Sequence, residues 1–353
     1  MKNYEYPGAI HIHSTYSDGT STIEDIAKDA KRAGLRWIII TDHNTLEGLD
    51  NGREGYYEDL CVMVGLEISP EEGNHYLAFD IKENINHEQP AQNYIKEVND
   101  QGGFGFIAHP DEMGGRDNPY PPLRWDDWDI NGFQGIEIWN FMSDWVDTLT
   151  TKNKIKKFLY PVESLHGPTA KTITWWDKLN NQNNKIVPAI AGLDEHCFRY
   201  NYIGLNLKVF PYYKTFKTLL NYIQIDDFLS NDFETAKKQI YKAIKSGNNI
   251  MINNKLGNYS GTVFTATKRD LNQKYVKSTA GEILEIENDF IIDIETPQPS
   301  EIKLFHNGKE IKSEMTRHLK FKSNEPGSYR FEAFKNGKHW ILSNPIKVIK
   351  AND

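Results

Sequence analysis

The chain has 353 residues, 39% hydrophobic and 25% charged, which is enough for a large buried core and for more than one domain. Its 41 basic and 49 acidic side chains give a formal charge of −8, which argues against a general nucleic-acid or anionic-membrane binder. Cys61 and Cys197 alone cannot build a disulfide framework. No run approaches the ~20 apolar residues of a membrane span, and residues 1–7 carry no apolar signal segment, so a cytoplasmic location is expected.

Residues 1–200 read as alternating strands and helices. Residues 9–13 form a short strand, and a helix follows over 22–33. Its Ile23, Ile26, Ala27, Ala30 and Ala33 recur at helical spacing, Thr22 is placed to cap it and Gly34 to end it. Residues 37–41 are an apolar run suited to a strand buried on both faces. Residues 61–66, 76–80, 104–108, 135–138 and 186–192 repeat the theme, and a helix bounded by Pro90 and Gly102-Gly103 precedes the strand at 104. A parallel α/β barrel or doubly wound sheet is predicted. A helix over 232–246 ends at Gly247. From about residue 261 helical periodicity stops. Short β-rich segments (282–287, 290–295, 301–306, 319–322, 328–334, 345–349) are separated by turns such as Asn307-Gly308, Pro326-Gly327 and Asn336-Gly337. The expected organisation is a catalytic unit over 1–260 with a helical extension, then a small antiparallel, immunoglobulin-like β-sandwich over 261–353.

Eight of the eleven histidines precede residue 200, most of them at predicted strand ends. His11 and His13, two apart in a strand, point the same way. Asp18 follows in the next loop, His43 closes the second strand, and Glu67 the third. His75 leads into the fourth strand, His109 closes the fifth, and Asp194 and His196 close the last. In a parallel barrel the C-terminal strand ends share one rim, so these nine groups would converge. Imidazoles and carboxylates suit Zn²⁺, Mn²⁺ or Fe²⁺ alike. Nine ligands exceed the needs of one ion, so two or three are expected, with Glu67 suited to bridging a pair. Asp42 reads as a partner behind the ligands, Glu195 as a solvent-facing bystander, and His87 and His166 receive no role.

These motifs resemble the PHP (polymerase and histidinol phosphatase) superfamily. His11-x-His13 with Ser17-Asp18-Gly19, Thr41-Asp42-His43-Asn44, His109-Pro110 and Asp194-x-His196 are similar to its four motifs, and Glu67 and His75 fall where it supplies two further ligands. The resemblance covers roughly residues 8–200. It implies a distorted (β/α)7 TIM-like barrel holding up to three divalent ions. His11, His13, Glu67 and Asp194 would take the first ion, Glu67, His75 and His109 the second, and Asp18, His43 and His196 the third. The segments 135–140 and 340–346 resemble the CehA/McbA-type subgroup, in which a β-sandwich often follows the barrel and one relative cleaves a carbamate ester.

The resemblance implies a hydrolase. A water between two divalent ions is largely hydroxide near neutral pH and is able to attack phosphorus or a carbonyl carbon. Asp194 or His196 would pass a proton to the leaving group. A phosphate pocket also favours guanidinium groups; Arg116, Arg124 and Arg199 are candidates, Arg199 first because its loop leaves the rim. Six tryptophans between residues 125 and 176 (Trp125, Trp128, Trp139, Trp145, Trp175, Trp176) either wall the site or pack an insertion against the barrel. The expected activity is that of a phosphoesterase on small organic phosphates or nucleotides, with a carbamate, ester or amide hydrolase as the alternative. The expected partner is a small anionic substrate with an apolar or aromatic part, not nucleic acid or membrane.

Overall fold

The computed structural model describes residues 4–114, 122–160, 165–182, 185–202, 205–269 and 274–351. Helices and strands alternate through its first half, and the strands there belong to two mixed sheets. In the first, Tyr4–Ala9, Trp37–Ile40 and Leu60–Val64 lie side by side and parallel. The run Trp37–Ile40 is buried along its whole length, as a strand covered on both faces must be. Gly8 admits it: a Cβ there would sit 2.0 Å from the Trp37 ring. The crossover helix Ile23–Ala33 starts where the Thr22 side chain accepts the Asp25 N–H and stops at Gly34, whose φ of 90° suits glycine. It buries Ile23, Ile26, Ala27 and Ala30 against the sheet.

The second sheet runs Leu66–Ile68, Tyr76–Phe79, Phe104–Ile107, Gly135–Asn140, Ala189–Gly192 in that spatial order. Tyr76–Phe79 is antiparallel to both neighbours, and the remaining pairings are parallel. The predicted closed ring of parallel strands is therefore not found. The physical reason lies in a connection: only residues 69–75 separate Leu66–Ile68 from Tyr76–Phe79, and a parallel crossover needs about a dozen or more. The chain must turn back. Backbone hydrogen bonds nevertheless tie the two sheets at both edges. Leu193 N–H donates to Ile10 O and His13 N–H to Glu195 O on one side (2.9 and 3.0 Å), and Gly65 N–H donates to Ile40 O on the other (2.7 Å).

The β-rich C-terminal half does not stand apart. Leu219–Ile225 pairs antiparallel with Tyr4–Ala9, Asn249–Asn253 pairs with Leu219–Ile225, and Lys338–Ser343 pairs with Asn249–Asn253. Among the described residues, those beyond 261 thus continue the sheet that carries the first strand, fourteen strands in all. Segments 290–295 and 301–306 are one strand, Phe290–His306, whose register shifts between Glu295 and Ser300, where Pro297 and Pro299 interrupt the ladder. Asn307-Gly308 and Asn336-Gly337 are two-residue hairpin turns with φ positive at both positions (51° and 77°, 52° and 72°). No helix among the described residues is long and apolar enough to cross a membrane.

A buried ion cluster fastens this half to the helix Ala170–Gln182. Arg330 donates from Nε and Nη2 to the two carboxylate oxygens of Asp177 (2.7 Å each) and from Nη1 to Glu332, which also meets His339 Nε2 at 3.0 Å. Replacing Arg330 by Ala strands two carboxylates in the interior. The expected loss is about 3–5 kcal/mol of unfolding free energy, read from urea denaturation; a loss below ~1 kcal/mol would show that the cluster does not anchor the helix.

Candidate metal centre

The ends of the strands described above bring the nine candidate ligands together. His11 Nε2 lies 3.3 Å from Glu67 Oε2 and 3.5 Å from Asp194 Oδ1. His13 Nε2 lies 3.5 and 3.3 Å from the same two oxygens. Glu67 Oε1 faces His75 Nδ1 at 2.8 Å and His109 Nε2 at 3.4 Å. Asp18 Oδ1 faces His196 Nε2 at 3.3 Å, His43 Nε2 at 3.7 Å and His13 Nδ1 at 4.0 Å. All nine residues fall into overlapping groups whose donor atoms are spaced to hold a cation. His75 joins them from the N-terminal end of its strand because that strand runs antiparallel.

The backbone is bent to make this possible. His11, His109 and Asp194 have φ of 65°, 25° and 54°, a region L-residues rarely occupy and one that clusters at functional sites. The outward nitrogens of three imidazoles are fixed by hydrogen bonds. His11 Nδ1–H donates to Glu137 Oε1 (2.8 Å), His75 Nε2–H to Pro70 O (3.2 Å) and His196 Nδ1–H to Asp194 O (3.0 Å). In His11, His75 and His196 this leaves the other nitrogen turned toward carboxylate oxygens, acceptor against acceptor. The Ser69 hydroxyl donates to Glu67 O, and His43 Nδ1 lies between its oxygen (2.7 Å) and Glu67 Oε2 (2.8 Å).

That arrangement calls for a cation. His11 Nε2, both nitrogens of His13, Glu67 Oε2 and His109 Nδ1 are buried without a hydrogen-bond partner. The four separations of 3.3–3.5 Å from His11 and His13 to Glu67 and Asp194 are of the length that neighbouring ligands of one ion take when metal–ligand bonds are about 2.1 Å. Histidine and carboxylate donors are the set that Zn²⁺, Mn²⁺ and Fe²⁺ accept. The residues present fit the group.

Electrostatics point the same way. Burial opposes ionisation of Glu67 and Asp194, yet the surrounding imidazoles hold both well below the usual carboxylate range: His43, His11 and His75 for Glu67, and His11, His13 and His196 for Asp194. Burial, reinforced by His196 and His43, pushes His13 well below the usual imidazole range, which leaves it a neutral donor. Against burial, neighbouring carboxylates raise His43 to about 9 and His109 to about 10.

Several supporting residues escape sequence reasoning. Glu137 is buried and divided between three donors: His11 on Oε1, then the His109 N–H (2.8 Å) and Asn140 Nδ2 (3.0 Å) on Oε2. Its signal was a lone carboxylate in the apolar strand Gly135–Asn140. Gly192 leaves room for it, since a Cβ there would lie 1.6 Å from Glu137 Oε1. Ser69 left no signal. Asp42 is found behind the ligands, accepting from the Ser14 N–H and hydroxyl (2.6 Å each) and the Ser17 hydroxyl (2.7 Å), which holds the loop that presents Asp18.

Glu195 departs from expectation. It is fully buried, its carboxylate accepts the Cys197 N–H at 2.7 Å, and burial pushes its pKa well up; the neighbouring strand ends cover it because its backbone pairs with that of His11 to His13. The tryptophan wall also fails to materialise. Trp125, Trp139, Trp145, Trp175 and Trp176 are buried, and Trp128 stands edge-on against Trp175 at 4.6 Å, so these rings pack the insertion against the core. Arg124 is engaged with Glu112 O. Arg116 lies outside the described residues, as does the side chain of Arg199, whose backbone begins the strand Arg199–Tyr202.

An α/β chain with this multi-histidine, multi-carboxylate centre is a metal-dependent hydrolase. The PHP domain model matches residues 9–297, and the chain belongs to that family. An uncharacterized protein of Methanocaldococcus jannaschii is 27% identical over 169 residues, 42% of this chain and 91% of that one. Phosphoribosyl 1,2-cyclic phosphate 1,2-diphosphodiesterase of Eggerthella lenta is 38% identical over 61 residues, 17% of this chain and only 23% of that enzyme. Among solved structures, a two-domain protein of Bacteroides vulgatus, described as containing a predicted PHP-like metal-dependent phosphoesterase, aligns with 98% of this chain and 96% of its own at 13% identity and a TM-score of 0.48.

If Glu137 sets the tautomer and direction of His11, Glu137→Gln should weaken metal binding about 10–100-fold, measured by competition with a chelator. Gly192→Ala, which displaces the same carboxylate, should move in the same direction. Unchanged affinity in both variants would remove Glu137 from the site.

Proposed function

We propose that the chain is a multinuclear metal-dependent phosphoesterase acting on small organic phosphates or nucleotides. The observation that carries this reading is the convergence of nine histidine and carboxylate side chains at one site, with imidazole nitrogens of His11, His13 and His109 and Glu67 Oε2 buried without hydrogen-bond partners. His11, His13, Glu67 and Asp194 would hold a first ion, Glu67, His75 and His109 a second, and Asp18, His43 and His196 a third. Bound there, divalent ions polarise a phosphoryl oxygen and lower the pKa of water.

The chain's own groups do the rest. Glu67 joins the first two groups and sets their spacing. Asp18, whose side chain is 54% exposed, places the third group at the open side, where a substrate arrives. Asp194 and His196 lie at that same edge and are positioned to hold or pass a proton at the leaving oxygen. Arg199 follows directly and is the candidate for contact with a non-bridging oxygen. The proposed substrate is a small anion with an apolar or aromatic part; the name of the Eggerthella lenta relative, a phosphodiesterase, supports an ester of phosphate. The two bonded sheets correspond in this reading to a distorted (β/α)7 barrel, and residues 261–353 to an immunoglobulin-like unit.

Arg124, occupied by a backbone carbonyl, lends a second reading some weight: a carbamate, ester or amide hydrolase with the same centre needs no guanidinium. Freshly purified protein should contain two to three equivalents of Zn, Mn or Fe by elemental analysis and lose turnover on chelation. It should hydrolyse p-nitrophenyl phosphate or its bis-ester in preference to 1-naphthyl carbamate. Turnover of the carbamate alone would replace the phosphoesterase reading by the second. The double variant His11→Ala, His13→Ala should lose both metal and turnover, and retained activity would reject the mechanism.

A further inference from the structure

With the tryptophans buried, a different ring stands at the open side of the centre. Phe198 follows Cys197, whose φ is 53°. Its ring stacks on the His196 imidazole at 4.9 Å between centroids and 9° between planes, and His196 stacks in turn on His13 at 4.0 Å and 10°. Phe198 remains 42% exposed. Among the described residues His196 is its one aromatic neighbour, and Phe198 belongs to neither of the two core clusters.

An apolar ring held this way is poorly explained by packing. It is exposed, it lies against a candidate ligand of the outermost group, and Asp18, the most exposed of the nine residues, faces the same imidazole at 3.3 Å. An anion seated on that group would place its organic part beside Phe198. Flat π-systems gain from offset or face-on contact with such a ring, and covering the exposed surface adds a hydrophobic gain.

We propose that Phe198 is a specificity-determining residue that contacts the flat aromatic group, aryl or nucleobase, of the phosphoester; this rests on the phosphoesterase reading above. Phe198 takes no part in the chemistry. It selects what the phosphate carries.

The test uses the metal-loaded full chain and pairs of ligands that differ only in the group carried. In calorimetry, Phe198→Ala should weaken phenylphosphonate about tenfold and leave methylphosphonate within roughly twofold. In turnover, kcat/KM for p-nitrophenyl phosphate should fall by a similar factor through KM, while that for glycerol 3-phosphate holds. Phe198→Tyr should restore the aromatic ligand. Equal losses for both members of a pair would mean that Phe198 only steadies His196 and would overturn the proposal. So would no loss in either, or equal affinity of the unaltered protein for the two phosphonates. Absence of any phosphate turnover in the unaltered protein would reject the phosphoesterase reading alone, because the phosphonate pair still decides the role of Phe198.

Discussion

The constraint on which this structure turns is the buried carboxylate of Glu67. It is enclosed by five imidazoles: His11, His13, His43, His75 and His109 each bring a nitrogen within 3.5 Å of one of its oxygens. A carboxylate removed from water costs several kcal/mol unless positive charge compensates it. Neutral imidazoles carry no charge to compensate it, and five protonated ones would repel each other. Bound metal cations would solve both problems together. The strained φ values at His11, His109 and Asp194 are the backbone's share of that solution.

Direction is supplied by the layer behind the ligands. Glu137, Pro70 O and Asp194 O each hold the far nitrogen of one histidine, and Ser69 lies against His43 Nδ1, so ring orientation is set before any ion arrives. Asp42 does the equivalent for a loop, binding three donors from Ser14 and Ser17. Pre-organised donors lose little rotamer freedom on binding, which is how a crowded cluster of like groups is kept from relaxing apart.

How much of this the sequence discloses depends on the range of the interaction. The helix Ile23–Ala33 was readable from Thr22 to Gly34 because capping is local, and the hairpins at Asn307-Gly308 and Asn336-Gly337 because both turn positions need positive φ. The histidines and acids at strand ends were readable because chain order fixes which end a residue occupies. The reversed strand Tyr76–Phe79 was decipherable in principle from the seven residues before it, but the uniform apolar texture of the strands concealed it. Glu137 and Ser69 were missed because their roles depend on partners far away: 126 residues separate Glu137 from His11, and 26 separate Ser69 from His43. Burial of Glu195 is likewise a tertiary fact. The continuity of the C-terminal strands with the first strand left no local mark at all.

That continuity has a chemical consequence for the centre. Ala189–Gly192, the strand that leads to Asp194 and His196, is not held by its own sheet alone. Asn221 exchanges hydrogen bonds with the backbone of Ala191, accepting its N–H on Oδ1 (2.9 Å) and donating from Nδ2 to its carbonyl (2.6 Å). Asn344 does the same for Ala189 (2.7 and 2.9 Å), and Asn249 Nδ2 adds a second donor to Ala189 O. Three fully buried asparagine side chains thus act as a substitute strand edge. One comes from each of Leu219–Ile225 and Asn249–Asn253, and the third from the residue after Lys338–Ser343. Buried amides are tolerated only when their donors and acceptors are met, so the strand and the β-rich half specify each other's position. The last third of the chain carries none of the nine candidate ligands, yet it fixes the height at which Asp194 meets His11 and His13.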